Sequence, residues 1–204
     1  MFEIILTAII IYTATALDLI VLLLVFFAKA KTKKQKKDIY LGQFLGSFIL
    51  ITISLFLAYF LNFVPEKWML GLLGLVPIYF GLKVAIFGDN EEEELQKEMD
   101  QKGLSHLAKT VTVMVIASCG ADNIGLFTPY FVTLKVNELI LTLVVFFILI
   151  FVLVYTASKL STIPGIAKVI EKYSRWVIAT IYIGLGVFII YENDTLQTLI
   201  SLLN

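Results

Sequence analysis

Six stretches of this chain are long and apolar enough to cross a lipid bilayer, and that feature limits the fold more than any other. A helix needs about 20 mostly apolar residues to span the hydrocarbon core. Residues 4–28 carry one charge, Asp18, and residues 39–65 carry none. Residues 68–88 carry Lys83 near their end, residues 110–134 carry Asp122, and residues 139–158 carry none. Residues 176–191 are uncharged but short, and are read as extending into neighbouring polar positions. Inside a bilayer each segment must satisfy its own backbone hydrogen bonds, so each is predicted to be a helix. The expected fold is therefore an all-α integral membrane protein with six transmembrane helices. Composition agrees. Apolar residues make up 59% and charged residues 16%, against about 45–50% and 25% in a soluble domain.

The charges that remain are placed unevenly. The 16 basic and 16 acidic residues cancel, which removes the case for nucleic-acid binding. The run KAKTKKQKK, residues 29–37, holds six lysines and reads as a topology signal under the positive-inside rule, with anionic-lipid or nucleic-acid binding as the alternative. It also argues, with Glu3 as the only early charge, against a cleaved signal peptide at the start. Alternation of six spans places the loops after spans one, three and five in the cytoplasm. Those loops hold thirteen basic residues, against Lys67 and Lys135 on the other side. Both termini are then extracytoplasmic. Lys83 can snorkel to the inner interface. The acidic run DNEEEE, residues 89–94, reads as a solvated loop, with a metal-collecting patch as the alternative. His106, the single histidine, reads as a solvated loop residue.

The two halves resemble each other. Residues 78–87 read IYFGLKVAIF and residues 181–190 read IYIGLGVFII, identical at six of ten positions at a shift of 103. At a shift of 104, Asp18 falls on Asp122. Three spans per copy reverse the orientation of the second copy, which predicts two inverted three-helix repeats, a common plan of secondary transporters. The whole chain, 1–204, reads as one transporter domain: repeat one over 1–88, a cytoplasmic loop over 89–109, and repeat two over 110–204.

Asp18 is the fifteenth residue of its 25-residue stretch and Asp122 the thirteenth of its own 25, so both are expected near the midplane. An ionised carboxylate there costs about 2.5–3.5 kcal/mol on insertion scales. Two such acids at symmetric places point to an ion or proton site, against the alternative of two protonated acids hydrogen-bonding across helices. Around Asp122 the chain reads SCGADNIGLFTP. On a helix, Cys119, Asp122 and Asn123 converge on one face. Gly120, Gly125 and Pro129 suit a broken helix whose freed carbonyls can act as ligands, or else close helix packing. Thr15 lies one turn before Asp18, within TATALD, with Thr7 further along that face. The Thr15 hydroxyl can ligate or orient the carboxylate. It can also bond back to its own helix, the preferred reading for Thr7.

Two carboxylates suit a divalent cation, and oxygen ligands alone suit calcium, magnesium or manganese. A thiol beside them selects softer ions, so cadmium and zinc fit a site of Asp18, Cys119, Asp122 and Asn123, with Thr15 beside it. The competing view of Cys119 is a small buried hydrophobe. No GxxxxGK[ST] loop is present, so ATP is not the expected energy source. Protons are the expected counter-ion, because metal and protons compete for the oxygens of Asp18 and Asp122. No cofactor is expected beyond the transported ion.

TATALDLIVLLLVFF, SCGADNIGLFTPYF and the lysine-rich first loop resemble the bacterial cadmium-resistance transporters of the CadD type, in the superfamily that includes the lysine exporters. CGADNIG is the most specific part. The resemblance implies a protein of the bacterial cell membrane that exports cadmium, with Asp18, Cys119, Asp122 and Asn123 as important residues. Three rivals share features with this reading. A manganese or calcium exporter differs chiefly by Cys119. An amino-acid exporter needs a basic residue near the midplane to hold a carboxylate, and none lies there. A membrane thiol oxidoreductase needs a second cysteine, and the chain has one.

Overall fold

The computed structural model describes residues 1–61, 67–87 and 107–203. The acidic run 89–94 and His106 lie outside those residues, as do the side chains of Lys67, Lys168, Lys172 and Arg175. Every described element is helical. In chain order they are α1 (Phe2–Lys29), α2 (Lys33–Leu61), α3 (Lys67–Gly71), a 3-10 turn (Leu72–Gly74), α4 (Leu75–Phe87), α5 (Leu107–Thr133), α6 (Val136–Leu160), α7 (Ile166–Glu192) and α8 (Thr195–Leu203).

Among the described residues, four stretches are long and apolar enough to cross a membrane unaided: Lys33–Leu61, Trp68–Ile86, Leu107–Thr133 and Val136–Leu160. The first helix counts as a fifth span when its two arms, Phe2–Leu17 and Leu19–Lys29, are taken together across a 51° bend. The apolar part of the last long helix, Trp176–Glu192, is shorter, and its helix reaches back to Ile166 through polar positions, as the sequence led one to expect. The third stretch is less regular than its hydropathy suggests, because the 3-10 turn interrupts it. Large apolar side chains such as Phe48, Phe56, Ile86, Phe151 and Trp176 remain exposed. On a multi-pass membrane protein these are the side chains that meet lipid.

Short connections fix the order of the helices. The chain enters α2 through a capping box made of neutral groups. The backbone N–H groups of Lys31 and Thr32 donate to Gln35 Oε1 at 2.8 and 2.9 Å, and the Gln35 N–H donates to Thr32 Oγ1 at 3.1 Å. Between α5 and α6 the chain reverses tightly, and the Lys135 N–H donates to Glu138 Oε2 at 2.9 Å. Gly165, with φ of 77°, supplies the left-handed residue at the start of α7.

Glycines set the two closest helix crossings. A Cβ on Gly42 would lie 2.6 Å from Val111 Cβ, and one on Gly46 would lie 2.7 Å from Val115 Cγ1. Further along, Gly120 of α5 faces Leu50 of α2, so α2 and α5 run in the same sense. The second crossing joins α4 to α7. Gly74 and Gly186 each lie against the other's backbone carbonyl, while Gly81 lies against Ile183 and Ala179, so these helices run in opposite senses. Close approach of this kind, without bulky side chains between, is how helices associate where lipid removes the hydrophobic drive. A third pairing joins α1 to α6 in the same sense. Tyr12 meets Phe146 with ring centroids 5.3 Å apart, and the C-terminal end of α1 shares a recess with Ser161 and Ile163. The N-terminal helix also contacts α5 and α7, and α4 contacts α5.

Candidate functional site

The bend in α1 falls at Asp18, between the arms ending at Leu17 and beginning at Leu19. No glycine or proline lies in TATALDLI, so the usual backbone causes of a kink are missing. Thr15 lies one turn before Asp18. Its buried Oγ1 donates to the Tyr12 carbonyl at 3.0 Å, drawing that acceptor toward a side chain, a known source of helix bending. The hydroxyl proton is thereby engaged. The Asp18 side chain lies outside the described residues.

The second motif sits on α5, which packs against α1. Asp18 is just past the middle of the 28 residues of α1 and Asp122 just past the middle of the 27 of α5. Cys119 and Asn123 are both 3% exposed, one turn apart on the core-facing side. Asp122 is half-buried and Ala121 exposed, so the carboxylate stands at the margin of that face rather than at its centre. The Asn123 side-chain amide donates to the Cys119 carbonyl at 2.7 Å. This directs the nitrogen to the helix and leaves Oδ1, the atom a cation would use, as an acceptor. Among the described residues no three His, Cys, Asp or Glu side chains gather into one group.

Of the two readings of the α5 glycines, a broken helix or close packing, the backbone shows no break. The helix continues from Leu107 to Thr133 with Pro129 inside it. Gly125 serves close packing instead, since a Cβ there would lie 2.7 Å from the Phe80 ring. Gly120 has room, its nearest neighbour being Leu50 at 3.5 Å. The irregularity belongs to the helix of Asp18.

Residues 12–202 match the family model described as cadmium resistance transporter. The chain belongs to that family. No curated protein and no solved structure matches it. For this cadmium resistance transporter family member the matched region takes in both aspartates, Thr15, Cys119 and Asn123.

Neutral polar residues that charge counting passed over also lie inside the bundle. Gln43 is fully buried on α2, and its amide donates to Ser47 Oγ at 2.9 Å. Its Oε1 has no hydrogen-bonding partner among the described residues. Tyr12 of α1 turns its phenol toward Ser47. A buried amide oxygen left unpaired costs about 1–3 kcal/mol, so this polar seam between α1 and α2 stands out from ordinary packing. The signal available in sequence was one glutamine inside a run free of charge from Ile39 to Pro65.

Proposed function

We propose that the chain exports divalent cadmium from the cytoplasm in exchange for protons, through a site built from Asp18, Cys119, Asp122 and Asn123 with Thr15 beside it. The observation that carries this reading is the bend of α1 at Asp18, on a helix packed against α5. This bend falls next to a carboxylate, and irregular stretches of membrane helices are where transporters commonly hold cations. A thiol alongside carboxylates favours cadmium or zinc over harder ions. A fall in the cytoplasmic concentration would confer resistance, which supports export as the direction.

The architecture proposed for this work is six spans in two inverted repeats, residues 1–88 and 110–204, joined by a cytoplasmic loop. The helix pairings support it. Exchanging α1 with α5, α2 with α6, and α4 with α7 turns the α2–α5 contact into the α6–α1 contact. The same exchange maps α1–α7 onto α5–α4 and leaves α4–α7 unchanged, and all of these contacts are present. The senses of the pairs agree with six alternating spans. In this arrangement the lysine run 29–37 faces the cytoplasm of a bacterial cell, and both termini are extracytoplasmic.

Metal and protons compete for the same carboxylate oxygens. With the site open outward, protons displace the metal; with it open inward, metal displaces protons. If both acids titrate, two protons exchange for one divalent ion without net charge transfer. The deciding measurement uses proteoliposomes with membrane potential held at zero. An imposed pH gradient, acidic on the release side, should drive cadmium uptake or release, and collapsing it should stop the flux. Cadmium flux unchanged after collapse rules out proton coupling. Manganese or calcium flux exceeding cadmium flux moves the reading to a hard-metal exporter.

A further inference from the structure

A recess of about 280 Å3 opens on the outer surface between α2 and α6. Tyr40 and Phe44 line it from α2, Ile150, Phe151 and Val154 from α6, and Lys37 closes one end. Its walls are almost entirely apolar, and Phe44 meets Phe147 and Phe151 with centroids 5.1 and 5.4 Å apart. Chemical character changes in order along α2. The exposed Lys33, Lys34, Lys36 and Lys37 come first, then Tyr40, then Leu41, Phe44 and Phe48. That order matches the layers of a membrane surface: charged headgroups, an aromatic interface, hydrocarbon. The facing wall is similar. Beyond Val154, α6 ends in Lys159, whose Nζ lies 5.6 Å from the centroid of the Tyr155 ring, within reach of a cation–π contact. Lys37 lines the recess, and Lys159 lies outside its lining, beyond Val154 at the same end of α6. No carboxylate lies in the first turn of α2, and the cap of that helix uses a glutamine where a glutamate is common.

We propose that the recess between α2 and α6 holds one anionic phospholipid, with its acyl chain along Tyr40, Phe44 and Phe151 and its phosphate at Lys37 and Lys159. Charge complementarity selects the headgroup, and the aromatic walls take the chain. The lipid then ties a helix of the first half to one of the second at the membrane surface. The positive-inside role of the lysine run is unaffected, because orientation depends on the whole run and the lipid on two named cations.

The test titrates delipidated full-length protein in detergent with phosphatidylglycerol or phosphatidylcholine, and reads bound lipid by native mass spectrometry. Wild type should hold phosphatidylglycerol in clear preference to phosphatidylcholine. The double variant Lys37→Gln/Lys159→Gln should lower phosphatidylglycerol affinity by about tenfold or more, as removal of two surface lysines implies, with phosphatidylcholine binding unchanged. The control Lys33→Gln/Lys34→Gln removes equal charge from residues that do not line the recess and should lower affinity clearly less than the first double variant does. All four positions are exposed, so neither variant should harm the fold. Equal losses in the two double variants would show diffuse attraction by the lysine run and overturn the site. Absence of any headgroup preference in wild type overturns it as well.

Discussion

The helices that carry the two aspartates differ in shape in a way their sequences do not suggest. Around Asp122, α5 has Gly120, Gly125 and Pro129 and remains one helix. Around Asp18, α1 has neither glycine nor proline and bends by 51°. Packing accounts for the first case. The straight helix is gripped by α2 through Gly42 and Gly46 and by α4 through Gly125, and the Phe127 ring meets that of Phe146 of α6 at a tilt, with centroids 4.9 Å apart. The bent helix is held unequally. Its second arm is buried almost throughout, from Leu19 to Phe27, while Phe2, Leu6, Ile9 and Ile10 on the first arm are exposed. Glycine and proline make a bend inexpensive, but neighbours decide whether one forms.

The largest test of the comparison replaces each acid in turn. Asp18→Asn and Asp122→Asn should each reduce cadmium flux in proteoliposomes to the level of empty vesicles, since an amide neither titrates nor supplies charge. Substantial flux in one of them would make the two helices unequal in chemistry as well as in shape. Next comes Cys119→Ser, which keeps size and polarity and removes the soft donor. Cadmium flux should fall by about tenfold or more, with any manganese flux affected less; equal cadmium flux makes Cys119 a packing residue.

A smaller effect is expected from Thr15→Val, which keeps the shape and deletes the hydroxyl that bonds to the Tyr12 carbonyl. Flux should drop several-fold while Thr7→Val stays near wild type. Identical behaviour of the two variants would separate the bend from Thr15. The smallest effects belong to α5. Gly125→Ala forces a methyl onto the Phe80 ring and should destabilise by about 1–3 kcal/mol, whereas Gly120→Ala should leave thermal stability unchanged. If Gly120→Ala nevertheless stops transport, α5 must break there during the cycle, and the difference from α1 would be one of state rather than of construction.

Much of this was legible one segment at a time. A bilayer imposes its demand on every span separately, so hydropathy and charge counts alone marked the apolar stretches and the two acids within them. Ligand candidates followed from spacing along one helix: Cys119 and Asn123, four apart, do share a buried face. Asp122 was harder to place, because its position at the edge of that face depends on where neighbouring helices lie. Gln43 and Ser47 escaped notice because a neutral polar group costs little in a charge count and reveals its meaning only once buried.

Sequence by itself therefore determined a membrane-embedded helical chain, two mid-helix carboxylates, and a thiol and amide one turn apart, all properties carried by single segments. Tertiary structure alone decided that α2 packs on α5 and α4 on α7 through glycines, that the bend lies in α1, and that a lysine-ended recess opens between α2 and α6. These depend on contacts between residues far apart in the chain. In lipid such contacts rest on shape and close approach rather than on hydrophobicity, and shape is the property a hydropathy pattern does not contain.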